Sequence, residues 1–381
     1  MPTPIPGALS GTRVIDLSRV LGGPYCGQIL ADHGADVLKI EPPQGDETRT
    51  WGPPFENGVA SYYMGLNRNK RGITLDLTCI EGRELLLSLV QQCDAVIENY
   101  SAEVLPKLGL DYPALRAVNS RLVMLSMPAF GLGNAWSDTR AYGGTLEQAS
   151  GLPLHTGHPE YPPAMTSYAY GDPIGGLNAG AALLLGLLVQ RTTGEGRHIN
   201  LSQVEGMLTL TAPWLIEQSI LGQVGPRQGN RHPVFAPHGC YPCAGEDEWV
   251  VVSVMDDAAW QALCQLLGAH TLASDPGLAI ASDRHRRHME IDHVLAVWTR
   301  QRSADVAMAQ LQAAGVAAGA VRPMWQVLED PHLQARRFWR VLNRPYVEKY
   351  ICSTTSYRQG DQAMPIHRPA PTLGEHTVEV M

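Results

Sequence analysis

The chain has 381 residues, 44% of them hydrophobic and 17% charged, enough apolar mass for a real core and no compositional sign of disorder. Its length suggests two domains, or one large domain with an insertion. Lys and Arg number 29 against 37 Asp and Glu, and the resulting net charge of −8 argues against a protein that neutralises many phosphates, so nucleic acid is not an expected partner. A small anion can still bind in a locally basic cleft.

Met1 to Gly7 has no basic segment followed by an apolar one, so it does not read as a secretory signal. The first third alternates strand and helix. Val14, Ile15 and Leu17 mark a strand over Arg13–Ser18, followed by a helix over Pro24–His33 and a strand over Asp36–Ile40. Gly72–Leu77 reads as a strand and Ile80–Cys93 as an amphipathic helix. Asp94–Glu98 and Leu122–Ser126 are further strands. This order predicts right-handed βαβ units around a mostly parallel sheet, with ligands gathering at the carboxyl ends of the strands. Asp172–Arg191 is a long apolar helix, too short in its unbroken apolar part to read as a membrane span. A strand at His198–Leu201 and a helix near Ser202–Leu221 follow.

Composition shifts at residues 222–237, rich in Gly, Pro, Arg and His, which read as a linker. The expected architecture is α/β: a Rossmann-like large domain from 1–221 with 336–381, and a smaller α+β domain over 238–320. A second linker covers 321–335. Seven scattered cysteines, an odd number, fit reduced thiols and a cytoplasmic location better than a disulfide framework.

Four segments carry candidate chemistry. Asp172 sits in Gly171-Asp172-Pro173, where Asp is a preferred N-cap and Pro a preferred first helical residue. A carboxylate at that place is also favoured in its ionised form and can serve as a covalent nucleophile. Gly22-Gly23-Pro24-Tyr25-Cys26-Gly27 opens a helix after the first strand, but its glycine spacing is wrong for a dinucleotide fingerprint, which disfavours a nicotinamide oxidoreductase. Asn67-Arg68-Asn69-Lys70-Arg71 is a basic cluster leading into a strand, with phosphates as a natural partner. His232, His238, Cys240 and Cys243 lack the second knuckle of a structural zinc site, and no metal is expected there.

Together these segments resemble class III coenzyme A transferases, the family of formyl-CoA transferase and carnitine CoA-transferase (CaiB/BaiF). The resemblance rests on Leu9–Leu17, Gly34–Glu41, Asn67–Leu77, Val96–Tyr100, Gly171-Asp172, Gln190–Gly196 and Asp330–Arg336, in order along nearly the whole chain. It implies two subunits interlocked as a homodimer, and CoA or acyl-CoA as substrate with no tightly bound cofactor. It also implies an acyl-CoA donor and a carboxylic acid acceptor as partners, and no membrane. By the same resemblance Asp172 is the catalytic nucleophile, working through an aspartyl anhydride and an aspartyl-CoA thioester. CoA is then lined by Arg19, Val20, Gly22, Leu75, Asn99, Tyr100, Lys107, Leu108, Arg140 and Tyr142. Where the family often has a basic residue after Lys39-Ile40-Glu41, this chain has Pro42, and Arg71 is the expected replacement. Backbone N–H groups near Gly175 and Gly176 are expected to steady the oxyanions, and the glycines of 222–229 to form a lid.

The main alternative is an acyl-CoA racemase or epimerase on the same fold. Such an enzyme needs a His opposite the Asp, and Arg140–Thr145, where it falls, contains none. A non-catalytic subunit is disfavoured by the presence of Asp172. Arg140, His155 and His158 suggest that a second carboxylate on the acid is recognised.

Overall fold

The structure is a computed structural model describing residues 7–53 and 60–381. Met1 to Pro6, part of the segment judged not to be a signal, lie outside the described residues. The chain divides into two units: one runs to Pro153 and adds Met165–Val224 and Pro331–Met381, and the other comprises Leu154–Ala164 and Gly225–Asp330.

The first unit is built on a six-stranded sheet of β1 (Arg13–Asp16), β2 (Asp36–Glu41), β3 (Arg71–Thr74), β4 (Ala95–Glu98), β5 (Val123–Ser126) and β6 (Arg197–Asn200). Its order is β3-β2-β1-β4-β5-β6, and every pair is parallel. The strand order reverses between β1 and β4, which opens a crevice beyond their carboxyl ends. Strands covered on both faces carry near-continuous apolar runs. Accordingly Val14, Val37, Ala95, Ile97, Val123 and Leu125 enter the core on one face, and Ile15, Leu38, Ile73, Val96 and Met124 the core on the other.

Helices α1 (Gly22–Asp32), α2 (Ser61–Leu66), α3 (Ile80–Val90), α4 (Val104–Leu108), α5 (Tyr112–Val118) and α6 (Gly143–Ala149) connect or flank these strands. The 23-residue α7 (Gly171–Thr193) packs on α1, α8 (Gln203–Leu221), β5 and β6. It is long and apolar enough to cross a membrane, yet Ala179, Leu183 and Leu187 are spent in the core of this sheet. Gly194 ends α7 and Gly222 ends α8, both with left-handed backbone (φ 78° and 68°). Strand β1 stops at Asp16 because that side chain accepts the Ser18 N–H at 3.0 Å and turns the chain, two residues before the periodicity predicts. The carboxyl-terminal tail returns to the sheet edge, where the His376 N–H donates to the Gly72 carbonyl at 2.9 Å.

The basic cluster is internal rather than a free phosphate site. Arg68 and Lys70 are buried. Arg68 forms a bidentate pair with Asp32 (3.1 and 2.6 Å), and the Lys70 ammonium donates to Asp16 (2.8 Å), Asn67 (2.8 Å) and the Pro24 carbonyl (2.7 Å). Asn69 accepts the His367 N–H at 2.7 Å and so fastens the tail.

The second unit is α+β. An antiparallel sheet of β7 (His238–Pro242), β8 (Trp249–Ser253) and β9 (Ala317–Ala320) carries helices Asp257–Leu267, His288–Thr299 and Ala304–Ala313. Its core includes Val250, Val252, Trp260, Leu263, Leu295 and Leu311.

The α1–α7 crossing tolerates no side chain at one glycine. A Cβ on Gly176 would lie 2.6 Å from the Gly22 carbonyl oxygen and 3.0 Å from the Tyr25 ring, whereas one on Gly180 meets only Ile29 methyl carbons at 3.6 and 3.8 Å. Gly176→Ala is therefore expected to lower stability by about 1–3 kcal/mol through overpacking. Gly180→Ala is expected to raise it by up to about 1 kcal/mol through helix propensity. Calorimetric melting of the two variants beside the parent checks both signs.

Candidate functional site

Asp172 lies in the first turn of α7 and is 7% exposed. It is not the cap of its own helix. The N-cap position is Tyr170, with no side-chain cap bond, and Asp172 is the second helical residue. Its carboxylate instead reaches the starts of two other helices. Gly22, the first residue of α1, donates its N–H to Oδ1 at 3.3 Å. Gly143, the first residue of α6, donates its N–H to Oδ2 at 2.8 Å. These are groups that a helix leaves unpaired, and they are aimed at negative charge. No ion pair to Asp172 occurs among the described residues. Burial pushes its pKa up from the ordinary carboxylate value, and the two N–H bonds oppose that rise without cancelling it.

Such approach demands glycine. A Cβ on Gly143 would stand 2.1 Å from Asp172 Oδ2, and one on Gly22 would stand 3.3 Å from Oδ1. Gly175 and Gly176 serve otherwise than expected: they lie inside α7, where their N–H groups belong to the helix ladder, and neither donates to the carboxylate. A Cβ on Gly175 would lie 2.8 Å from Gln203 Oε1, so both are glycines of close packing.

A cavity of about 340 Å³ opens beside Asp172. Of the residues named from sequence it brings together Arg19, Val20, Asn99, Tyr100, Arg140 and Tyr142. The β1–α1 turn that forms its floor is held tightly. Asn99 donates to the Arg19 carbonyl and accepts the Arg19 N–H, both at 2.8 Å, across the start of the turn. The next residue, Val20, has φ 67°, a left-handed conformation that a β-branched residue adopts only under constraint. Beneath the turn the Lys39 ammonium donates to the Ser18 carbonyl and stands between Asp16 (3.8 Å) and Asp46 (3.6 Å). Burial pulls the Asp16 pKa up, but Lys39 and Lys70 outweigh it and hold the carboxyl below its ordinary value; burial also brings Lys70 down to about 8.

Four residues from the sequence reading stand elsewhere. Arg71 is at the amino end of β3, away from the carboxyl ends of the strands, and is engaged by Asp36 (2.9 and 2.6 Å) and Glu379 (3.2 Å). It does not replace the missing basic residue beside the cavity. Leu75 is buried in the core, and Leu108 packs against that same core. Lys107 is exposed and pairs with Glu103 one helical turn away. Residues that the sequence did not single out are Glu47, Thr139, Gln203 and Tyr62. The first three line the cavity, and Tyr62 has its hydroxyl pKa raised by burial and by the charge of Asp172. In the second unit, His232 stacks on Phe235, His238 bonds Ser253 Oγ at 2.9 Å and Cys243 is buried in the core. Among the described residues no group of three or more His, Cys, Asp or Glu is placed to hold a metal ion.

The model of CoA-transferase family III matches residues 9–377. The chain belongs to that family. Succinate–glutarate CoA-transferase of Agrobacterium fabrum is 34% identical over 98% of this chain and 94% of its own. Succinyl-CoA–D-citramalate CoA-transferase of Chloroflexus aurantiacus is 32% identical over 98% and 93%. A CaiB/BaiF family protein from Brucella suis, solved by crystallography, superposes with a TM-score of 0.90 at 33% identity, covering 99% of each chain. This protein is thus a family III CoA-transferase, and CoA thioesters are its substrates.

A second buried carboxyl with a raised pKa precedes the cavity residues Asn99 and Tyr100 in the chain. Glu98 ends β4, accepts the Tyr100 N–H at 2.9 Å, and is pushed up from 4.5 to about 7 by burial, against the opposing bonds from Ser126 and Tyr100. A raised folded-state pKa means that the folded protein binds more protons between about pH 4.5 and 7, so this group's stabilising share is full below that window and lost as pH rises through it. Glu98→Gln is expected to flatten the melting temperature across that window and to raise stability at pH 8, by on the order of 3 kcal/mol at 1.36 kcal/mol per pKa unit. Melting curves from pH 4 to 8 on both proteins check the sign.

Proposed function

We propose that the protein moves CoA from an acyl-CoA thioester to a free carboxylic acid through covalent intermediates on Asp172. The observation that carries this reading is a buried carboxylate with no ion-pair partner among the described residues, each oxygen facing a backbone N–H at a helix start, beside a cavity. Desolvation makes the carboxylate a stronger nucleophile, and the N–H pair keeps it placed.

Asp172 Oδ1, the oxygen held at the longer distance, attacks the thioester carbonyl. The C–S bond breaks, giving a mixed anhydride and CoA thiolate. The thiolate attacks Cγ of Asp172, forming aspartyl-CoA thioester and releasing the donor acid as carboxylate. The acceptor carboxylate then attacks that thioester, giving a second anhydride and thiolate again. Attack of the thiolate on the acceptor's carbonyl completes the new acyl-CoA and restores Asp172. The Gly143 N–H, 2.8 Å from Oδ2, polarises the Asp172 carbonyl whenever Cγ is the electrophile. Arg19, Val20, Gly22, Asn99, Tyr100, Arg140 and Tyr142 are the residues we assign to the CoA arm and acyl group.

A dicarboxylic acid on at least one side of the exchange fits the names of the two relatives above and the guanidinium groups of Arg19 and Arg140, which line the cavity and in the unliganded protein pair with Glu47 (3.6 Å) and Glu103 (3.7 Å). A homodimer is supported by the exposed apolar side chains of α7 and α8, among them Leu177, Leu185, Leu188, Leu215, Ile216 and Ile220. Seven free thiols fit the cytoplasm.

Intact-protein mass spectrometry after mixing with succinyl-CoA, glutaryl-CoA and monocarboxylic acyl-CoAs tests the mechanism. The expected result is a CoA-sized adduct that hydroxylamine converts to a hydroxamate at Asp172, and that Asp172→Ala does not form. Activity of that variant is expected to fall by at least about 10³-fold, the scale of losing a covalent nucleophile. Full turnover by Asp172→Ala would end the proposal.

A further inference from the structure

The carboxyl-terminal tail gathers arginines around one cavity. The short helix Pro331–Ala335 is followed by Arg336 and Arg337, and then by β10 (Trp339–Arg344) and β11 (Glu348–Ser353), an antiparallel pair in which Arg340 stands opposite Cys352. A small hairpin of β12 (Arg358–Gln359) and β13 (Gln362–Ala363) comes next. Two bonds pin these segments together. The Thr354 N–H donates to the Phe338 carbonyl at 2.8 Å, and Arg336 Nη2 donates to the Ser356 carbonyl at 3.0 Å. A cavity of about 260 Å³ is lined by Arg336, Arg337, Arg340, Arg358, Asp361 and strand β13.

Elsewhere in this acidic chain arginines meet carboxylates, as Arg49 meets Glu41, Arg68 Asp32 and Arg71 Asp36. Among the described residues none of the four cavity arginines is in an ion pair. Asp361 is the one acid on the cavity wall, which leaves three positive charges uncompensated. Guanidinium groups gathered around one space repel each other. Arg337 adds a second cost: its φ is 50°, a left-handed conformation at the turn after a helix, where glycine is the usual residue. A bound anion removes the repulsion, and its chemistry follows from the number of forks. A carboxylate has one charge and two oxygens, and one planar guanidinium occupies it. A phosphoryl group carries about −2 with three free oxygens and bridges several.

We propose that this cavity is a second anion site, which takes a phosphoryl or pyrophosphoryl group between Arg336, Arg337, Arg340 and Arg358. It stands apart from the nucleophile. Tyr357, next to Arg358, stacks on His33 at the end of α1, whereas Asp172 faces Gly22 at the start of that 11-residue helix, about 16 Å away. The phosphoryl group has two sources of the same chemistry: the nucleotide end of CoA, or a separate phosphorylated compound.

The test is titration calorimetry of the full-length protein with pyrophosphate, inorganic phosphate and succinate, each with and without saturating CoA. The variants are Arg337→Gly, which removes a charge where glycine suits the backbone, and Arg337→Gly with Arg340→Gln. The expected result for the parent is that pyrophosphate binds more tightly than phosphate, and phosphate more tightly than succinate. The double variant is expected to lose about 10- to 100-fold in pyrophosphate affinity, the scale of one charge-assisted hydrogen bond, while its melting temperature without ligand stays at or above that of the parent. Binding that persists under saturating CoA assigns the site to a separate phosphorylated compound. Binding that CoA abolishes, together with weaker CoA binding by the double variant, assigns it to the nucleotide end of CoA. Succinate binding as tight as pyrophosphate, no pyrophosphate binding in either condition, or binding that the double variant leaves unchanged overturns the proposal. So does a double variant that changes only the oligomeric state in sedimentation, because the arginines then meet carboxylates of a second copy.

Discussion

A carboxylate taken out of water without a cation beside it must find donors elsewhere, and Asp172 finds them at the starts of two other helices. Much of the first unit can be traced to that requirement. Gly22 must begin α1 and Gly143 must begin α6 within hydrogen-bond reach of one side chain. A Cβ at Gly143 would collide with the carboxylate, and one at Gly22 would crowd both it and Gln203. The α1–α7 crossing is in turn pulled so close that Gly176 has no room for a methyl group. The run of glycines about Asp172 records close approach of backbones, and flexibility has no part in it.

The turn that delivers the Gly22 N–H is braced from below by ions that have left water. Asp16, Lys39, Lys70 and Asp46 are two carboxylates and two ammonium groups, all buried and arranged so that each charge has an opposite neighbour. Replacing such a set by well-packed apolar residues often costs nothing in stability, whereas removing one partner is expensive. The worth of this set is therefore positional. Lys70 grips the Pro24 carbonyl and Lys39 the Ser18 carbonyl, on either side of the strained Val20. The Asn99 clamp on Arg19 adds a third hold. Strain at one residue persists when its neighbours are fixed this firmly.

The sheet was legible because buried parallel strands and helices leave periodic apolar traces, as Val14-Ile15 and Leu85-Leu86-Leu89-Val90 do. Asp172 was singled out through a resemblance to a family, and its surroundings were not legible in the sequence. Read locally, Gly-Asp-Pro before an apolar run is a helix cap, and only the tertiary fold shows that the carboxylate serves partners 150 and 29 residues away. The basic cluster misled for the same reason: Arg68, Lys70 and Arg71 look like a solvated or phosphate-binding run until Asp32, Asp16 and Asp36 fold against them. Gln203 carried no signal at all, since a glutamine at a helix start is ordinary and its place on the cavity wall exists only in three dimensions.

The same two N–H groups suit both halves of the proposed chemistry. As a nucleophile Asp172 must be ionised yet poorly solvated, and burial raises its pKa while the N–H bonds limit the rise. As an aspartyl anhydride or thioester the same side chain is neutral, and the burial that penalised the anion no longer does. The Gly143 N–H then faces a carbonyl oxygen that gains charge as thiolate or carboxylate attacks, without any group having to move. A lysine or arginine in place of the N–H pair would stabilise the resting carboxylate more than the developing oxyanion, lowering the nucleophile's energy and raising the barrier. Neutral backbone donors, fixed by helix starts that only glycine can bring so near, avoid that penalty.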